Sequence, residues 1–81
     1  MSVNKVILIG HVGADPEVRH PDKGTIVATF SLATSETNAN NGTQTTDWHR
    51  IVLLGPRAEF AEKYIRKGSF LYLEGKIKSR E

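Results

Sequence analysis

The chain has 81 residues, with 11 Lys or Arg, nine Asp or Glu, three His and no Cys. This length favours a single domain over residues 1–81 with a thin hydrophobic core, and the lack of cysteine excludes a disulfide framework and a thiolate site. The first apolar run, Val6 to Ile9, is too short for a signal peptide or a membrane span, so we expect an intracellular protein with no membrane partner.

The basic side chains are concentrated towards the C-terminus. The net charge is +2, and residues from Arg57 onward carry seven Lys or Arg against four Glu. This bias is compatible with a polyanionic partner, although most charged side chains only solvate a surface.

Two strands are predicted in the first half. β-Branched and apolar residues from Val3 to Val12 predict a strand whose middle is buried on both sides, ended by Gly13–Pro16. A second break at Pro21–Gly24 has turn composition and precedes Thr25–Thr34, the clearest strand. In this strand Ile26, Ala28, Phe30 and Leu32 alternate with Val27, Thr29, Ser31 and Ala33.

Residues 35–46 contain no large apolar side chain and predict a mobile polar loop. A third strand, Asp47–Gly55, follows. It places two sets of side chains on opposite faces, the first set being Trp48, Arg50, Val52 and Leu54 and the second His49, Ile51 and Leu53.

The last elements are a helix and a strand. Pro56 begins a helix that Gly68 ends, with an apolar side formed by Phe60, Ala61, Tyr64 and Ile65. Ser69–Lys78 alternates again as a strand, with Phe70 and Tyr72 on the face opposite Leu71 and Leu73.

The order strand, strand, strand, helix, strand predicts an all-β fold with one helix. A helix between the third and fourth strands is the arrangement of the oligonucleotide-binding (OB) fold, a small Greek-key barrel. That barrel needs a fifth strand, which we expect to be absent from this chain.

No catalytic group or metal site is expected. His11, His20 and His49 lie in separate elements, and without cysteine they lack any metal-ligand spacing. The two glycines of Gly10–Gly13 precede no helix and indicate a turn rather than a phosphate-binding loop. We therefore expect a protein that is not an enzyme and needs no cofactor.

Trp48 is the most informative side chain. An indole that shares a strand face with Arg50 suits stacking on a base with a cation near its phosphate, whereas Val52 and Leu54 on the same face also suit a core. The pattern leaves both interpretations open. In the same way Lys76, Lys78 and Arg80 form either a solvated edge or a row of phosphate contacts.

Five segments, in this order, closely resemble the bacterial single-stranded DNA-binding protein family. They are Val3–Gly10, Asp15–Arg19, Phe30–Glu36, Trp48–Leu53 and Tyr64–Gly68. The resemblance implies a homotetramer of OB-fold barrels that wraps single-stranded DNA during replication, recombination and repair. It also implies a cytoplasmic, nucleoid-associated location.

The resemblance implies a DNA contact set as well. Trp48 matches a stacking tryptophan of the family, Leu54 stands where a phenylalanine is common, and Asn38 stands where a tryptophan is often found. Several other positions are basic in the family or belong to the basic C-terminal edge. The expected DNA-binding residues are Trp48, Arg50, Leu54, Arg66, Lys67, Lys76, Lys78 and Arg80.

Subunit contacts are implied by the same likeness. Val3–Gly10 resembles the strand through which two subunits extend a common sheet, and His49 resembles a histidine at the subunit contact. The expected interface residues are Val3, Lys5, Ile7, Ile9, His49 and Tyr72. Beyond Glu81 the family continues with a hairpin, the closing strand and an acidic-tipped tail that recruits replication and repair proteins, which we expect to be missing here.

Two alternatives remain at this point. A primosomal replication protein of related fold would be a dimer that relies on basic residues more than on aromatic ones. An OB-fold module used only for protein contacts would have Trp48 in its core.

Overall fold

The computed structural model describes residues 1–21 and 24–79. This part of the chain folds into one curved antiparallel sheet of five strands with a single helix packed against it. The elements are β1 (Val6–Val12), β2 (Glu17–Arg19), β3 (Val27–Thr37), β4 (Gln44–Leu54), α1 (Pro56–Tyr64) and β5 (Phe70–Gly75).

The long strand β3 organises the sheet. One edge of β3 pairs with β4 along its whole length, from Val27 opposite Leu54 to Thr37 opposite Gln44. The other edge pairs first with β2 and then with the end of β1, and β5 pairs with β1. Within the described residues β4 and β5 do not pair, so the barrel is not closed.

Strand β2 was missed by the sequence-based prediction. Its three residues pair with the start of β3, with Val18 opposite Ala28. A segment with one apolar side chain between Glu17 and Arg19 is too short to reveal a period of two. Only its pairing with β3 identifies it as a strand.

The polar loop predicted for residues 35–46 was wrong at both ends. Strands β3 and β4 continue to Thr37 and from Gln44, so that only residues 38–43 form the connection. Threonine has a high β propensity despite its polarity. At the tip, side-chain oxygens of Asn38 and Asn41 accept hydrogen bonds from nearby backbone N–H groups, and Gly42 has φ +71°.

The core lies between the concave face of the sheet and α1. Apart from Phe30, the buried side chains are small or branched, which lets the helix lie close to β3 and β4. The buried core residues are Val12, Ala28, Phe30, Leu32, Ala58, Ala61 and Ile65.

The concave face of β1 also depends on a close approach between strands. A β-carbon on Gly10 would overlap the backbone carbonyl oxygen of Ala33.

The prediction that the middle of β1 is buried on both sides was wrong for the described chain. Ile7 and Ile9 point away from the core and are 53% and 52% exposed.

The predicted apolar side of α1 was also partly wrong. Ala61 and Ile65 are buried as expected, but Ala58 joins them while Phe60 and Tyr64 are exposed. Only a narrow stripe of a nine-residue helix faces the sheet, and the alanines occupy it. The Phe60 and Tyr64 rings instead contact each other on the outer flank, with centroids 5.0 Å apart.

The segment before β1 and the segment after β5 are joined by the Asn4 side chain. Strand β5 ends at Gly75 rather than at the predicted Lys78. Beyond it, the Asn4 amide donates to the carbonyl of Ile77 at 2.8 Å and accepts from its N–H at 2.9 Å. These two bonds extend the pairing of β1 with the outgoing chain.

No helix in the described ranges has both the length and the apolar composition needed to cross a bilayer.

Candidate functional site

The outer face of β4 carries the first group of expected site residues. Its side chains alternate as predicted, with Trp48, Arg50 and Leu54 exposed and the intervening His49, Ile51 and Leu53 half-buried towards the core. Trp48 is 62% exposed, so the alternative that placed it in the core is wrong for this chain. An exposed indole beside a guanidinium offers an aromatic face and a positive charge on one surface.

The indole of Trp48 lies across its neighbouring strand. Trp48 pairs with Ala33 on β3, and Ala33 pairs in turn with His11 on β1. Because alanine leaves room above β3, the six-membered ring of the indole extends to Gly13 at the end of β1.

A wide, open groove borders β4 and the chain that leaves β5. Trp48, Arg50 and Leu54 line one part of it, and Lys76 and Lys78 line another. Five of the eight DNA-binding residues predicted from the sequence therefore line one groove, together with the core-facing side chains of Leu8, Ile51 and Leu53.

Two further cations, Arg19 and Arg57, line the same groove and were missed by sequence analysis. Arg19 lies on β2, the strand that was not predicted, and Arg57 lies in the first turn of α1. The only sequence signal for either was a positive charge, which is common on any surface. Their position in this groove could not be predicted without the fold.

The side chains that line the groove carry a net positive charge. Seven charged side chains line it, five of them cationic, namely Arg19, Arg50, Arg57, Lys76 and Lys78, and two of them anionic, Glu17 and Glu74. Both carboxylates lie next to a cation, since Glu17 Oε1 is 3.4 Å from Arg19 Nη2 and Glu74 Oε1 is 3.0 Å from Lys5 Nζ. A polyanion would therefore meet a net attractive field.

Arg66 and Lys67 do not line the groove but lie in the turn between α1 and β5. The Arg66 guanidinium donates to the carbonyls of Glu62 and Ile65, at 2.9 and 2.7 Å. It thereby supplies hydrogen bonds to carbonyl groups at the C-terminal end of α1. The backbone N–H of Lys67 donates to Asp15, which follows Gly13 closely in the chain. This turn therefore lies beside the Trp48 end of the site. Arg80 lies outside the described residues.

The expected interface residues fall into two separate places. Ile7, Ile9 and Tyr72 lie together on the outer face of β1 and β5, with the Lys5–Glu74 ion pair at one end. Val3 precedes β1 and is 88% exposed.

His49 is not part of that face. It points to the inner side of β4, where Nε2 lies 2.8 Å from the Thr34 hydroxyl.

No cluster of three or more His, Asp or Glu suited to a metal ion occurs in residues 1–21 and 24–79.

Comparison with known proteins gives one family. Residues 3–81 match the single-strand binding protein family. A protein named single-stranded DNA-binding protein from Bacteroides thetaiotaomicron is 55% identical over 99% of this chain and 53% of its own length. One of the same name from Neisseria meningitidis serogroup A is 52% identical over the whole of this chain and 48% of its own. The chain thus spans about half the length of the curated relatives it matches.

A solved structure supports the same relationship. The structure described as Plasmodium falciparum SSB complex with ssDNA superimposes with a TM-score of 0.86 at 43% identity. The match covers 94% of this chain and 70% of that one. This likeness confirms the predicted OB-fold.

Proposed function

Because the chain belongs to the single-strand binding protein family, we propose that it binds single-stranded DNA, without sequence specificity, on the outer face of β4 and in the adjoining groove. The observation that carries the proposal is the exposed Trp48 indole on the same strand face as Arg50 and at the border of a groove rich in cations. Stacking and phosphate contacts are available from every nucleotide, which accounts for the lack of base preference.

The proposed roles divide between bases and phosphates. Trp48 stacks on a base, and Leu54 gives an apolar contact without the attraction between aromatic rings. Cationic side chains contact successive phosphates. This set comprises Arg50, Arg66, Lys67, Lys76, Lys78 and Arg80, with Arg19 and Arg57 added from the structure. Of these, Arg66 contributes least, because its guanidinium already caps α1.

We also propose that copies of the chain associate through the outer face of β1 and β5. Ile7, Ile9, Phe70 and Tyr72 are 53%, 52%, 66% and 59% exposed, and they form one contiguous apolar surface on two paired strands. Such a surface is unusual on a protein that stays monomeric. A homotetramer is the proposed state. His49 and Val3 are proposed to contribute at its borders.

In the cell we propose that the protein organises single-stranded DNA in the nucleoid during replication, recombination and repair. Recruitment of replication and repair proteins is assigned to a C-terminal tail outside residues 1–81. For residues 1–81 the proposal is one non-catalytic binding domain.

Fluorescence titration tests the DNA proposal directly. Trp48 is the sole tryptophan, so its emission reports on the candidate site alone. Added oligo-dT should quench the emission, and raising the salt concentration should weaken binding. Duplex DNA of equal length is the comparison. Unchanged emission with oligo-dT, or equal affinity for the duplex, would contradict the proposal.

A further inference from the structure

We propose that Gly13 is a positioning residue for Trp48, because its missing side chain provides the surface on which the indole rests. The consequence of this contact for DNA binding depends on the function proposed above. The contact itself does not.

The indole edge occupies the space that a side chain at position 13 would need. A β-carbon on Gly13 would lie 2.5 Å from Cζ3 of Trp48, 3.0 Å from Cη2 and 3.5 Å from Cε3. The first of these distances is far inside van der Waals contact. The indole therefore reaches across Ala33 to β1 only because residue 13 is glycine.

Backbone conformation does not explain why residue 13 is a glycine. The glycines with positive φ are Gly24, Gly42, Gly55 and Gly68 among the described residues, and Gly13 is not one of them. Position 13 can therefore accept any L-residue as far as φ is concerned. What a side chain there would remove is the space under the ring.

Gly13 is also held in place, so relieving the overlap by moving the backbone would disturb its hydrogen bonds. Its N–H donates to the carbonyl of Ser31 at 2.9 Å, and the carbonyl of the preceding Val12 accepts from the N–H of Gly68 at 2.7 Å. The Trp48 ring is largely exposed and can tilt away. A side chain at position 13 should thus displace the ring and leave the sheet intact.

A ring held along one edge has fewer orientations available before DNA arrives. Binding then immobilises less, and the affinity rises for that reason alone. Losing the support should weaken oligo-dT binding by roughly 3- to 10-fold. The Trp48 residue is 62% exposed in this arrangement, so its indole stays accessible to a base.

The test compares Gly13→Ala with Gly75→Ala. A β-carbon at position 75 meets no heavy atom within 4 Å, so this variant controls for replacing a glycine by alanine where no atoms overlap. Without DNA, Gly13→Ala should change the emission maximum and the acrylamide quenching of Trp48, while Gly75→Ala should leave both as in the unchanged protein. Unaltered Trp48 emission and quenching in Gly13→Ala would overturn the proposal.

A double-mutant comparison assigns the DNA effect. Gly13→Ala should weaken oligo-dT binding when it is the only substitution. In a protein that already carries Trp48→Ala, it should cause no further loss of affinity. An equal loss in both backgrounds would overturn the positioning role. If the Trp48 spectrum changes but neither variant alters DNA affinity, the contact stands and the proposed function fails instead.

Thermal unfolding covers the case in which Gly13→Ala destabilises the fold. If the overlap with the ring is the cause, Trp48→Ala should restore the lost Tm, because it removes the overlapping atoms. A loss of Tm that Trp48→Ala does not relieve would count against the proposal.

Discussion

The carboxylate of Asp15 accepts a hydrogen bond from the backbone N–H of Lys67, at 2.8 Å, and so joins the turn after β1 to the turn after α1. Asp15→Ala removes the acceptor and should lower the free energy of unfolding by about 1 kcal/mol. Asp15→Asn keeps a side-chain oxygen and should stay close to the unchanged protein. Chemical denaturation measures both, and an equal loss in the two variants would contradict the role of this hydrogen bond.

Trp48→Ala should weaken oligo-dT binding by about 1 to 3 kcal/mol, which is the usual effect of removing one stacked ring. The thermal midpoint should change little because the side chain is exposed. Binding is followed by anisotropy of a labelled oligonucleotide. Tyr64→Ala is the matched control, since Tyr64 is an equally exposed aromatic residue on α1 and does not line the groove. A comparable loss in both variants would remove the special role of Trp48.

Lys76→Ala should reduce the salt dependence of binding. Each phosphate contact on a single strand contributes about 0.7 to the slope of log K against log salt, so the slope should fall by that amount. Lys63→Ala removes the same charge from α1, away from the groove, and should leave the slope nearly unchanged. Equal slopes for the two variants would show that only net charge matters.

Ile9→Glu should break the proposed association of subunits. It places a carboxylate in the middle of the exposed apolar face of β1 and β5, where contact between copies would bury it without a partner. Multi-angle light scattering should show a smaller species than for the unchanged protein, with the same circular dichroism. Tyr64→Glu on the helix is the control. An unchanged mass for Ile9→Glu would place the interface elsewhere.

Gly10→Ala should be much more destabilising than Gly75→Ala, although both lie in the β1–β5 ladder. The added carbon at position 10 meets the backbone of Ala33, which cannot rotate away, whereas position 75 is open. A loss of about 2 kcal/mol or more is expected for Gly10→Ala. Thermal unfolding of the two variants checks the difference, and similar midpoints would show that β1 and β3 can separate at this point.

The sequence predicted the faces of β3 and β4 correctly because both strands alternate over many residues. Phe30 and Leu32 share one face of β3, and Trp48 and Arg50 share one face of β4, as the period of two requires. Exposure of Trp48 could not be predicted in the same way. Val52 and Leu54 on its face have the composition of a core, and only the lack of any element covering β4 in the described structure leaves them accessible.

The composition of the groove was the less predictable part. Lys76, Lys78 and Arg19 line the same groove as β4 although none of them lies on a strand that pairs with β4. These are long-range relationships with no local periodicity. The resemblance to a family supplied the basic positions, but it could not show that Arg66 is engaged in capping the helix.

The pairing of β1 has a consequence for how the chain folds during synthesis. In the described structure β1 pairs with β3 only at His11 and Val12, whereas Val6–His11 pair with β5, and Asn4 bonds to Ile77 near the far end of the chain. The β3–β4 hairpin is local and can form as soon as it leaves the ribosome. The first strand made, by contrast, must wait for the last one, with Ile7 and Ile9 in water meanwhile. We expect nascent chains that stop before Phe70 to keep their N-terminal segment unpaired and sensitive to proteolysis.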